Sequence, residues 1–470
     1  MTAEIANHPE LEGLTRRYAA FAAGLRCEDL PPEVVEKAKL LIRDGIGNQI
    51  AASAIAEPAR RVIEMVSEWG GKPEATVVGY GMKAPMPLAV MCNSMLGHGV
   101  ELDDAHGTGL IKAGSVLMPT VFAAAEMRGA DGREVIAAVV AGYEIAIRIA
   151  KAINPGHRSR GYHTTGTVSL IGAAAAAARI LGCDAEQIAS AMGLAGMQSA
   201  GIQSFLNDSC MAKPFSPGKG GFNGAIAAVM ASRGFTGPKT MLECGEGFFN
   251  AFAPSIDAPV LTDGLGEKFA IMEVGFKPHA ACRYAHGPLD LAQLAYSEDG
   301  VRLSDVESVT VRMSQLAIRQ ASKSPCPNLN VSMGSTEFGV ALALSRGSNG
   351  LRDYWDGFED RTVHDAAAGL VTLEADPDFG FGGRQSSIRI TLRNGKVVER
   401  SSEEPKGEPS NPLTAAELER KFMTMASLVM DSDRASEISR LVMALEGEAN
   451  AGRIPGMTVA ADGKPELRVA

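Results

Sequence analysis

Thr167–Gly182 reads TVSLIGAAAAAARILG, with six consecutive alanines from Ala173 to Ala178. Together with Arg133–Ile153, REVIAAVVAGYEIAIRIAKAI, it is so rich in Ala, Val and Ile that helices built from both segments pack closely against neighbours on several sides. The expectation is a compact helical bundle with small-residue contacts. Upstream, Pro31–Ala51, PPEVVEKAKLLIRDGIGNQIA, opens with two prolines in a first turn and then spaces Val35, Ala38, Leu41 and Ile42 as an amphipathic helix does.

The texture changes near Gly264. Val309, Val311 and Met313 alternate with period two, as do Ile388, Ile390 and Leu392, and the second run leads into an Asn394-Gly395 hairpin signal. These are expected strands. SMGSTEFGVALALSRG (332–347) and RTVHDAAAGLVTLEA (361–375) between them read as helices, which makes residues 265–405 a mixed α+β unit. After the polar Glu403–Pro412 segment, Thr414 and Glu417 form a capping-box pattern ahead of AAELERKFMTMASLVM. The expected division is 1–264 all-α, 265–405 α+β, and 406–470 helices that pack back on the first unit.

The chain has 470 residues, enough for two or three domains. Its net charge of −10 disfavours nucleic acid and anionic membrane surfaces as partners, so an anionic small molecule needs a locally basic pocket. Seven scattered cysteines, none spaced C-x-x-C, argue against a disulfide framework or zinc ribbon and point to the cytoplasm. The start, MTAEIANHPELEG, is polar and has no apolar signal core, and no stretch reads as membrane-spanning.

Four segments carry candidate chemistry. In His98–Thr120, HGVELDDAHGTGLIKAGSVLMPT, the acidic group Glu101, Asp103, Asp104 and His106 has suitable metal donors, yet no H-E-x-x-H, EF-hand or second carboxylate cluster accompanies it. An aspartate-rich prenyl-diphosphate site lacks its partner motif in the same way. A polar helix end is the plain reading, and acid/base work is favoured by the i, i+3 spacing of His98, Glu101 and Asp104 along a helix face. His163 stands before a helix start with Thr164, Thr165 and Thr167, where a positive helix end and hydroxyls suit a carboxylate. Lys213 and Lys219 precede a Gly-rich helix without the order of a phosphate loop. Lys277, His279, Arg283 and His286 fall within ten residues and suit a carboxylate clamp.

In this order the segments NSMLGHGVELDDAH, RGYHTTGTVSLIGAAAAAARILG, GLAGMQSAGI, KPFSPGKGGFNG, RGFTGP, GFKPHAACRYAHGPLD and NPLTAAELERKF resemble the MmgE/PrpD family, which includes 2-methylcitrate dehydratases, cis-aconitate decarboxylases and iminodisuccinate epimerases. The resemblance implies a large all-α domain plus a smaller α+β lid, an active site between them, a homodimer, and no obligatory metal or organic cofactor. It carries over His98, Asp103 and Asp104 to the family's acidic loop, with Glu101 at its usual first aspartate. It likewise carries over His163, Lys213, Lys277 and His286. Two positions depart: Lys112-Ala113 stands where a His-Pro pair is common, and Phe338 where many relatives have tyrosine.

The expected function is a cofactor-independent lyase on a di- or tricarboxylic acid, with a 2-methylcitrate dehydratase-like reaction foremost. Glu101, Lys112, His163 and Lys213 are the catalytic candidates. His98, Asp104, Lys277, Arg283 and His286 are the substrate-binding candidates. An epimerase, an aconitate-type decarboxylase and a non-catalytic carboxylate binder are the alternatives.

Overall fold

The computed structural model describes residues 8–208, 210–380, 382–460 and Pro465. The first seven residues of the polar N-terminal segment lie outside the described residues. The helices that matter for the site are α1 (Pro32–Ile55), α2 (Met86–His98), α3 (Gly114–Arg128), α4 (Gly132–Ile153), α5 (Thr164–Ile180), α6 (Ala185–Gly196) and α7 (Phe215–Ser232). Helix α5 contains the alanine run and is the hub of this set: it packs against α3, α4, α6 and α7. Every residue from Thr164 to Ala178 is buried, so no face is left for solvent. Small side chains let the neighbours come close. A Cβ on Gly172 would lie 2.3 Å from the Gly142 carbonyl oxygen of α4, and only glycine permits that approach. Each large side chain that α5 buries, such as Leu170 and Ile171, contributes about 1.5–3 kcal/mol.

Past residue 265 come α8 (His286–Ser297), β1 (Val306–Met313), α9 (Gln315–Ala321), α10 (Thr336–Arg346), α11 (Arg361–Gly369), β2 (Val371–Ala375), β3 (Ser386–Leu392) and β4 (Val397–Ser402). The sheet order is β2-β1-β3-β4, with β1 and β2 parallel and the other neighbours antiparallel. The Asn394-Gly395 signal is the β3–β4 turn, with Gly395 at φ +83°. Helix α8 covers β3 and β4 and packs on α10. The molecule is mainly α with an α+β part. The C-terminal helices α12 (Ala415–Ala426), capped by Thr414 and Glu417 as expected, and α13 (Ser432–Met443) both lie on α1. On this packing we propose the division at 264 and 405. Among the described residues no helix is long and apolar enough to cross a membrane.

Local readings changed in three places. VTLEA is strand β2, because the helix stops at Gly369 and Val371 finds a parallel partner in Val309 that no local window reveals. Helix α1 is less amphipathic than its spacing predicts, since Arg43, Asp44 and Asn48 are buried as well. Lys219 lies inside α7, where its ammonium donates to the carbonyls of Gln198 and Ala200 and fastens the preceding loop.

Candidate active site

Helix α2 ends at His98, so Glu101 and Asp104 do not continue its face, which corrects the i, i+3 alignment. Glu101 instead turns the chain with φ +53°, a left-handed conformation costly for a residue with a Cβ. Two lysines from distant parts of the chain hold that turn. Lys277 Nζ donates to the Glu101 carbonyl at 2.9 Å, and Lys421 Nζ, from α12, donates to the Leu102 carbonyl at 2.9 Å while pairing with Asp44 at 2.6 Å.

The loop's side chains then diverge. The Glu101 carboxylate is gripped by Lys213 and, at 3.2 Å, by Lys277. Burial opposes its charge, but Lys213, Lys277 and Lys112 overrule that and hold the carboxyl well below its usual range. Glu101 is thus placed as an anion between two lysines. Asp103 Oδ2 accepts from His98 Nδ1 at 2.6 Å, and Oδ1 lies 3.4 Å from Lys277 Nζ. Burial again opposes ionisation, yet His98 and Lys277 bring the Asp103 carboxyl down to about 2. Burial lowers His98, which favours its neutral ring, and the buried Nε2 has no hydrogen-bond partner among the described residues. His106 is taken up by Glu273 at 3.0 Å and by the Gly109 N–H. Among the described residues no three His, Cys, Asp or Glu side chains converge as metal ligands.

Asp104 does not line the cavities at this site; it accepts from the Tyr143 hydroxyl at 3.0 Å and from the Gly114 N–H at 3.1 Å, bracing the start of α3. Burial, reinforced by the charge of Asp103, raises its carboxyl from 3.8 to about 7. The folded protein thus holds a proton that the unfolded chain releases, and stability falls as pH climbs from about 4 to about 7. Asp104→Asn is expected to flatten this dependence by about 3 kcal/mol between pH 5 and pH 8, an approximate value that follows from the linkage relation. Urea unfolding at both pH values measures it, and equal slopes for both proteins would refute the assignment.

Around the loop lie two half-open pockets, whose volumes include their open mouths. A side cavity of about 590 Å³ is lined by His98, Glu101, Lys213 and Met333. An inner cavity of about 580 Å³ is lined by Lys112, Arg158, His163, Lys213, Arg283 and Arg384, with Cys282, Tyr284 and Gln320, and by no carboxylate among the described residues. Phe205, Leu206, Lys213 and Gln320 belong to both walls. The inner cavity draws on the 105–112 loop, the stretch from Arg158 to His163 and the 205–213 stretch from one side and on the 282–384 segments from the other.

Within it, Lys112 is partly buried and, among the described residues, its ammonium has no ion-pair or hydrogen-bond partner. Burial, with Lys277 and Lys213 nearby, lowers it to about 8. His163 stands at the N-cap position of α5, its buried Nδ1 has no hydrogen-bond partner among the described residues, and burial together with the charge of Arg158 holds the ring well below 6.5. Of the threonine hydroxyls, Thr165 Oγ1 accepts from the Lys112 N–H at 3.1 Å and keeps its own proton to donate, while Thr167 Oγ1 lies 2.8 Å from His157 Nε2.

The expected clamp is only partly realised. Lys277 is fully buried and spent on the loop. His286 sits between the Ala281 carbonyl and Arg283, outside both walls. Arg283 reaches the inner cavity but is paired with buried Glu408 at 2.7 Å. Arg158 and Arg384 were not anticipated. Arg158 lies five residues before His163 in a basic run that offered a signal; Arg384, whose buried Nη1 has no partner among the described residues and whose guanidinium stacks 4.5 Å over Tyr284, offered none. Phe338 is buried among Tyr354, Phe358 and His364, away from both cavities.

The MmgE/PrpD N-terminal domain profile matches residues 16–259, and the MmgE/PrpD C-terminal domain profile matches residues 279–447. The chain belongs to the MmgE/PrpD family. Among family relatives, it is 26% identical to a cis-aconitate decarboxylase of Aspergillus terreus, over 95% of this chain and 96% of that one. It is 24% identical to the cis-aconitate decarboxylases of mouse, over 93% and 91%, and of human, over 93% and 92%.

Proposed function

We propose that this MmgE/PrpD protein is a lyase for a di- or tricarboxylic acid, needing no metal or organic cofactor, and that it eliminates water from a 2-methylcitrate-like hydroxy acid. The reading is carried by the inner cavity, where unpaired Lys112 and neutral His163 share a cationic wall that has no carboxylate among the described residues. Arg158, Arg384 and Lys213 hold the substrate carboxylates. His163, unprotonated at neutral pH, removes the proton from the carbon beside a carboxylate. The cations, already in place around the pocket, stabilise the charge that develops on that carboxylate. Lys112, mostly protonated at pH 7, gives its proton to the departing hydroxyl, so that the C–H and C–O bonds are replaced by a double bond and water. Two groups whose proton affinities are pushed apart by their surroundings divide the acid and base roles.

A second reading is favoured by the named relatives. In decarboxylation of an aconitate-like acid, carbon dioxide leaves and the Lys112 ammonium protonates the carbon left behind. Proton NMR in D₂O, following 2-methylcitrate, citrate, cis-aconitate and iminodisuccinate over time, separates the two. New vinyl signals from a hydroxy acid establish elimination, and loss of a carboxylate with deuterium uptake establishes decarboxylation. Exchange of an α-proton without elimination would replace both with epimerisation, and unchanged spectra would leave a carboxylate-binding protein.

A further inference from the structure

A third cavity, of about 980 Å³, opens beside the site between the 155–161 loop, the 202–207 loop and α9. Its wall carries Arg158, Arg160, Arg319 and Lys323 and, among the described residues, no carboxylate. Arg158, Leu206 and Gln320 line this cavity and the inner one alike, so a single layer of side chains separates them. That layer is tied rather than closed by packing: Arg158 Nη2 donates to Gln320 Oε1 at 2.6 Å, and Lys323 Nζ donates to the Leu206 carbonyl.

Arg160 and Arg319 are exposed, and among the described residues neither has a carboxylate partner; Arg160 only faces the Tyr162 ring at 6.0 Å. Some exposed arginines elsewhere are neutralised, as in Arg16–Glu186, Arg61–Glu57, Arg133–Glu28 and Arg389–Glu399, and others, such as Arg361 and Arg420, have no carboxylate partner among the described residues; what sets this cavity apart is that Arg158, Arg160, Arg319 and Lys323 share one concave wall. The protein as a whole is acidic, with a formal charge of −10. A polycarboxylate approaching at random is repelled, except where an uncompensated positive field persists within about 10 Å of the surface.

We infer that the cavity walled by Arg158, Arg160, Arg319 and Lys323 is a vestibule in which an anionic substrate docks before it passes the Arg158–Gln320 layer into the inner cavity. The inference rests on the polycarboxylate reading above. Arg160 and Arg319 act on capture and Lys112 on chemistry, so the two groups move different kinetic constants.

Arg160→Ser/Arg319→Ser is expected to lower kcat/KM at low ionic strength roughly tenfold, to leave kcat in place, and to reduce the fall of kcat/KM with added salt. Arg160→Glu/Arg319→Glu goes further in the same direction, and the double lysine variant restores the wild-type values. Citrate, titrated calorimetrically at low and high ionic strength, gives a readout that needs no turnover. If no acid is turned over but citrate binds with a salt dependence that the serine variant loses, the vestibule stands and the lyase reading falls. If an acid is turned over and the serine variant matches wild type in kcat/KM and in salt dependence, the lyase reading stands and the vestibule falls. If wild type neither turns over an acid nor binds citrate, both fall.

Discussion

Lys112→Met lowers kcat by about 10²–10⁴-fold, the range expected when a positioned general acid is removed. Methionine keeps the length of the side chain and much of its apolar contact, so the loss is chemical rather than architectural. Wild-type kcat/KM falls as pH rises past about 8, where the Lys112 ammonium gives up its proton, and that limb is absent from the residual activity of the variant. Lys112→Arg separates donation from binding. Arginine keeps the positive charge beside the substrate carboxylates but holds its proton throughout this range, so KM is restored and kcat is not. Steady-state kinetics of the three proteins against pH decide the matter. Turnover at the wild-type rate in Lys112→Met would remove the lysine from the chemistry altogether.

The second large effect is on stability. Lys277 has no exposed surface and satisfies the Glu101 carbonyl, the Glu101 carboxylate and Asp103 together. Lys277→Met leaves buried acceptors and a buried negative charge without their cation, which costs about 3–5 kcal/mol when one partner of a buried pair is deleted. The expected result is a lower urea midpoint for the whole protein. Activity falls too, because the left-handed turn at Glu101 loses one of its two lysine ties and Asp103 no longer holds His98 in one orientation. A double variant with Glu101→Gln recovers part of the stability, since the uncompensated charge is then gone. Additive losses in that cycle would show that Lys277 and Glu101 act independently.

The fold class was legible because it depends on repetition. The small and apolar run over Leu170–Ala178 leaves no polar face and can only be buried, and alternation over Val309–Met313 and Ile388–Leu392 can only suit a sheet. The segment from Val371 escaped because its partner strand lies sixty-two residues away, and only pairing makes it a strand. The candidate site was legible as a set of segments: Lys112, His163, Lys213 and Arg283 do meet on one wall. Their roles were not. Which carboxylate is an anchor and which lysine is free depends on the partner each finds. Glu101 finds Lys213 and Lys277, Asp104 finds Tyr143, and Lys112 has no hydrogen-bonding or ion-pairing partner among the described residues.

The sequence by itself determined the helical bundle with its α+β companion, the family, and the segments that bring charge together, because periodicity, small-residue runs and motif order are local properties of the chain. Only the tertiary structure decided that Asp103 orients His98, that Lys277 and Lys421 hold the loop, and that Arg158 and Arg384 complete a cationic cavity. The physical reason is that proton affinity and ion pairing depend on burial and on distances of a few ångströms, and these are set by parts of the chain more than three hundred residues apart, as Lys421 and Leu102 are.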